Sequence, residues 1–170
     1  MAITDRVPTM RITSRAALRY FQPVIGRKPW AVKLGWGSFL TFEFGQRVRQ
    51  GEFWRGTWHL WIYMCTWHLD GPRGLLIHSE SPRPMIARII RRFSGYRLST
   101  VEIGPRASWT RLEFDDKYRL TCTPFSREEE MDSDPSYYWI FFMPPHRTLS
   151  VRPRNLITIN RSDEPRKRNS

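Results

Sequence analysis

Zinc is the first chemistry this chain invites, because His59, Cys65, His68 and His78 lie close together and imidazole and thiolate are its usual ligands. Strand geometry speaks against a shared ion. Residues 57–69 read as one strand, in which Cys65 and His68 point to opposite faces and His59 stands about 20 Å from Cys65 along one face. The expectation is histidines hydrogen-bonded among aromatic rings, with no metal and no cofactor. Gly35-Trp36-Gly37-Ser38 is no better as a phosphate loop or a nucleophile turn. A dinucleotide fingerprint needs glycine where Leu40 stands, no lysine follows as in a P-loop, and Ser38 directly follows Gly37 instead of sitting one residue from a glycine on each side. Two glycines there suit a bulge or a close strand crossing. The acids Glu128, Glu129, Glu130, Asp132 and Asp134 lack the central glycine and closing glutamate of an EF-hand, and read as a solvated loop shielding part of a basic surface. No nucleophile, base and orienting group stand at a recognisable spacing, so no residue is assigned a catalytic role. A hydrolase using His59 with Glu43 from the neighbouring strand ranks third among the functional readings.

Binding is the better-supported class. The segment from Gln46 to Arg55 combines Arg47, Arg49 and Arg55 with Phe53 and Trp54, the mixture that stacking and charge pairing both use, and Lys33 joins it as a candidate contact. A second candidate face is the arginine side of a helix at 81–93, with Arg83, Arg88, Arg91 and Arg92. The net charge is +12, and only Lys28, Lys33, Lys117 and Lys167 among the 28 basic residues are lysines. Arginine pairs bidentately with phosphates and carboxylates, so the excess suits an acidic protein surface or a nucleic acid. A genome rich in G and C would also favour arginine whatever the function. The leading reading is a non-catalytic binding or accessory protein, inhibitor- or adaptor-like, with a protein partner. The alternative is a sequence-tolerant nucleic-acid binder.

The elements that must carry these residues are mostly strands. Trp36 to Phe44 alternates apolar and small or polar residues, as a half-buried strand does. Residues 57–69 are apolar on both faces, which predicts a central strand covered on both sides, long enough to require a bend or bulge. Residues 46–56 join the two, as a loop or as a hairpin extension turning at Gln50-Gly51. Ser81 to Phe93 reads as an amphipathic helix capped by Ser81, with Met85, Ile86, Ile89, Ile90 and Phe93 on one face. Ser14 to Phe21 reads as a short helix ended by Gln22-Pro23. Further strands are predicted at 30–34, 75–78, 98–103, 109–114, 117–123, 137–143, 149–151 and 155–160. This order argues for an α+β domain in which a mainly antiparallel, strongly curved sheet is packed by the helix at 81–93.

Trp30-Ala-Val-Lys-Leu-Gly-Trp-Gly-Ser-Phe-Leu-Thr-Phe-Glu-Phe-Gly45, followed by Trp58-His-Leu-Trp-Ile-Tyr63, resembles a pattern found in small bacterial proteins of the domain-of-unknown-function kind. The resemblance covers about the first half of the chain and implies no activity and no catalytic residue. Residues 13–160 are expected to form one domain, with 1–12 a mobile arm and 161–170 a disordered basic tail. Cys65 and Cys122 fall at apolar strand positions, where buried thiols act as small hydrophobes, and nothing requires a disulfide. No secretory run opens the sequence and the uncharged stretch 57–69 is too short for a membrane helix, so a cytoplasmic protein with no membrane association is expected.

Overall fold

The computed structural model describes residues 9–125 and 137–161. In chain order its strands are β1 (Met10–Arg11), β2 (Ala31–Leu34), β3 (Leu40–Gln50), β4 (Phe53–Ile62), β5 (Cys65–Gly71), β6 (Gly74–His78), β7 (Leu98–Ile103), β8 (Thr110–Phe114), β9 (Tyr118–Pro124), β10 (Trp139–Met143), β11 (Arg147–Arg152) and β12 (Leu156–Arg161). Two short helices, α1 (Ser14–Leu18) and α2 (Arg83–Ile90), each run on into a tighter 3-10 turn. The strands form two antiparallel sheets, one of seven in the order β1-β12-β11-β10-β4-β3-β2 and one of five in the order β6-β5-β9-β8-β7. Both ends of the chain build the first sheet, and its middle builds the second.

The expected α+β architecture, a single curved sheet packed by one amphipathic helix, is therefore corrected to a mainly β fold of two sheets facing each other over one core. The reason lies in residues 57–69. They are not one strand covered on both sides but two strands, each covered on one side, that belong to different sheets. Leu60 and Ile62 in β4 face the core on even positions; after the corner at Tyr63-Met64, Cys65, Trp67 and Leu69 in β5 face it on odd ones. The corner holds because the Tyr63 and Met64 amides donate to the Tyr138 and Tyr137 carbonyls, at 2.9 and 3.0 Å. A chain that changes sheet with a change of parity looks apolar on both faces when read as one strand.

Core contacts tie the layers together. Phe42 stacks on Phe114 across the gap with ring centroids 5.6 Å apart, and the buried Trp139 indole donates to Thr110 Oγ1 at 2.9 Å. The helices sit at the ends of the layer pair. Helix α2 packs against β2 and β6, the edge strands of the two sheets on one side; Ile86 and Ile90 are its buried residues, and Phe93 is buried in the 3-10 turn that follows. Its start differs from expectation. Pro82 occupies the capping position, because the Ser81 hydroxyl accepts from the His78 amide at 2.9 Å and so closes the preceding turn. Helix α1, capped by Thr13 Oγ1, packs against β7 at the other end, and its 3-10 extension carries Phe21 onto Phe141 and Trp139. Met10 and Arg11, inside the expected N-terminal arm, pair with Ile159 and Thr158 of β12. The expected acidic loop at 126–135 and all but the first residue of the basic tail at 161–170 lie outside the described residues.

Candidate functional site

The outward face of β3 and β4 carries the polar chemistry. At the row where Glu43 faces His59, Glu43 is only 3% exposed although it stands on the outward side. A β-bulge explains it. The register of β3 against β4 slips between Phe44 and Arg47, and on the β4 side of the slip the Gly56 amide donates to Glu43 Oε2 at 2.7 Å. Gly56 has to be glycine, since a Cβ there would stand 2.3 Å from the Phe44 carbonyl oxygen. The other carboxylate oxygen lies 2.7 Å from His59 Nδ1. A carboxylate in that position places the ring hydrogen on Nδ1 and leaves Nε2 as the free nitrogen. Among the described residues Nε2 has no hydrogen-bond partner.

His59 lines an open cleft of about 530 Å³ with Gly35, Trp36, Phe39, Thr41, Trp61 and Tyr63. Trp61 and His59 project from the same face of β4, and Thr41 is the cross-strand neighbour of Trp61. Tyr63 touches both Trp61 and Phe39, with ring centroids 4.8 and 4.2 Å apart. The remaining wall is the turn from Gly35 to Phe39, and it is fastened at several points. The Gly35 amide donates to the Phe39 carbonyl and the Phe39 amide to the Trp36 carbonyl, Trp67 Nε1 donates to the Ser38 carbonyl at 2.8 Å, and the Arg83 guanidinium donates to the carbonyls of Gly35 and Gly37. Gly37 adopts φ +59°, a left-handed conformation that glycine enters without penalty. The result is a fixed backbone holding out an indole, Trp36, that is 87% exposed.

At the far end of the same two strands, residues 47–56 form a two-stranded ribbon. β2 pairs with β3 only from Leu40 to Glu43, and β10 pairs with β4 only from His59 to Ile62, so among the described residues the ribbon has no flanking strand. It turns at Gly51-Glu52. Val48, Arg55, Gln50 and Phe53 share one of its faces; Arg47, Arg49 and Trp54 share the other with Gly56. Phe53 is 78% and Trp54 53% exposed. Arg47 lies over the Trp30 ring at 4.8 Å and Arg55 over Phe142 at 5.3 Å, so the two arginines at the ribbon's base rest on aromatic rings.

The sequence-predicted site residues are thus brought together only in part. Arg47, Arg49, Phe53, Trp54 and Arg55 share the ribbon but divide between its faces, and Lys33 stands apart on β2 opposite Thr41, beside the aromatic cleft. On the helix, Arg83 is engaged with the Gly35 turn. Arg88, Arg91 and Arg92 are exposed, and Arg92 borders a second hollow of about 320 Å³ with Arg73, Leu76, Phe93, Tyr96 and Tyr118. The hydrogen bond that the Tyr96 phenol donates to Tyr118, together with burial, holds Tyr96 above its usual pKa. The cleft itself escaped the sequence: Trp36, Trp61 and Tyr63 read there as core residues of strands, and only the pairing of His59 with Glu43 gave a signal. Among the described residues no hydroxyl or thiol hydrogen-bonds to His59.

His68, His78 and the two cysteines are engaged elsewhere. His68 Nε2 lies 3.4 Å from Asp70, and His78 Nδ1 accepts from the Glu80 amide. Cys65 and Cys122 are buried free thiols, and a hydrogen bond between them together with burial pushes the Cys122 pKa well up. Among the described residues no three metal-ligating side chains converge, and no helix is long and apolar enough to cross a membrane. No family model, curated protein or solved structure matches the chain.

Proposed function

We propose that this chain is a non-catalytic binding protein that engages a protein partner through the β3–β4 ribbon. The observation behind this reading is the exposure of Val48, Phe53 and Trp54, near Arg47 and Arg49, on a ribbon that no strand among the described residues flanks. A two-stranded ribbon has little stability of its own, and holding large aromatic side chains in water adds to its cost. Both costs are offset when a partner covers the tip. Aromatic residues next to arginine are the composition of an interface centre, and the positive charge suits an acidic rim on the partner.

The test is affinity capture from the organism that encodes the chain, with and without nuclease, followed by a salt titration of what is retained. The expected result is a protein retained through nuclease treatment and lost with Trp54→Ala, whose replacement should cost about 2 kcal/mol or more at an interface centre. Retention that disappears with nuclease, and an affinity whose logarithm falls with a slope near about −3 against log salt, would replace this reading by nucleic-acid binding through roughly four phosphate contacts.

A further inference from the structure

We infer that the cleft between the Gly35 turn and the outward face of β4 is a ligand site separate from the ribbon, and that it takes a flat aromatic or heteroaromatic ring carrying an anionic group. On β4 the cleft begins at His59, six residues beyond the exposed Phe53 of the ribbon tip and roughly 20 Å from it at the usual strand rise, so the tip and the cleft do not overlap.

Three features of the cleft specify this ligand. The first is its walls. Trp36, Phe39, Trp61 and Tyr63 offer four π-faces around about 530 Å³, room for a molecule of nucleotide or drug size. Of these rings Trp36 is the informative one. It is 87% exposed, yet five hydrogen bonds from side chains and main chain, two of them from Arg83 at the start of α2, keep its turn in place. That is a preformed stacking surface, whose ordering cost is met before any ligand arrives. The second feature is the polar floor. Glu43 divides its two oxygens between the Gly56 amide and His59 Nδ1, so the imidazole is fixed in one orientation with Nε2 unpaired, able to accept from a ring N–H or O–H, or to bond an anion when protonated. Thr41 adds a hydroxyl beside it.

The third feature is charge. Among the described residues no carboxylate lines the cleft, the buried Glu43 already has both oxygens engaged, and the nearest exposed cation by register is Lys33, on the neighbouring strand directly across from the lining residue Thr41. Sugars also stack on tryptophan, but they are recognised by several carboxylate and amide groups that these walls lack. A ring to stack and an anion to meet Lys33 is the combination that uses all the groups present. Nucleotides and aromatic carboxylic acids share that chemistry.

The experiment titrates the full chain with adenosine monophosphate and, separately, with 4-hydroxybenzoate, following tryptophan fluorescence, with adenosine and maltose as the compounds lacking the anion and the flat ring. Saturable quenching by at least one of the two anions is expected, tenfold or more tighter than by adenosine, with none from maltose; which anion binds identifies the source. Trp36→Ala, at a position outside the core, should weaken binding at least fivefold, as loss of one stacking ring does. Lys33→Ala should narrow the gap between adenosine monophosphate and adenosine, and Leu75→Ser on β6 should change nothing. Absence of saturation by both anions at millimolar concentration, equal binding of maltose, or unchanged affinity in Trp36→Ala would overturn the inference. None of these outcomes depends on Phe53 or Trp54, so the ribbon reading stands or falls separately.

Discussion

Glu43 shows how much one side chain can be asked to do. Its carboxylate closes the bulge by accepting from Gly56 and orients His59 with its other oxygen. Replacing it by glutamine keeps one acceptor oxygen, which the Gly56 amide requires, and turns the amide –NH2 toward His59. Nδ1 must then accept, so the ring hydrogen moves to Nε2. We expect Glu43→Gln to fold, to lose about 1 kcal/mol as a charge-assisted bond becomes a neutral one, and to show the Nε2–H tautomer in nitrogen-15 NMR of the imidazole. An unchanged Nδ1–H tautomer would mean that the carboxylate does not set the ring. The adjacency of Glu43 and His59 was legible in the sequence, since both lie on alternating strands joined by a candidate hairpin. The bulge was not, because nothing in Gly45, Gln46 or Gly56 distinguishes a register slip from an ordinary turn.

Among the elements, β4 and β5 separate what pattern reading can do from what it cannot. Their apolar residues follow from composition and period, as does the β8–β9 hairpin with Asp115 and Asp116 at its turn, both at positive φ, whereas the connection of β3 to β4 stays open between loop and hairpin until the pairing decides it. What period 2 does not encode is which apolar face is covered. Trp61 and Tyr63 are as apolar as Leu60 and Ile62, yet they line an open cleft while Leu60 and Ile62 are buried. Likewise Trp36 continues the alternation of β3 backward, but the two glycines beside it release the chain from the strand. The buried half of the pattern makes a sharp prediction. Ile62 is 1% exposed, so Ile62→Ala should destabilise the fold by about 2 to 5 kcal/mol in denaturant unfolding. A loss under about half a kilocalorie per mole would contradict its place in the core. Trp61→Ala, on the outward face, should cost far less.

On the scale of the whole molecule, the division of the chain between the sheets matters more than any local motif. A single curved sheet was the economical reading of strands joined by short turns, and it fails because the corner at Tyr63-Met64 is invisible without its partners Tyr137 and Tyr138, far along the chain. That corner also has a temporal side. On the ribosome, β4 emerges early with β3 along one edge, but its other edge bonds to β10, from Trp139↔Ile62 to Phe142↔His59, and so waits for the last part of the chain. Until then the nascent protein carries an unpaired strand whose inner face, Leu60 and Ile62, lacks part of its final cover, the situation in which edge-to-edge association outruns folding. A product that stops at Phe125 holds every strand of the five-stranded sheet and still leaves that edge open. It should be recovered in aggregates where the full chain is not, and it would be a natural client for a chaperone that shields strands during synthesis.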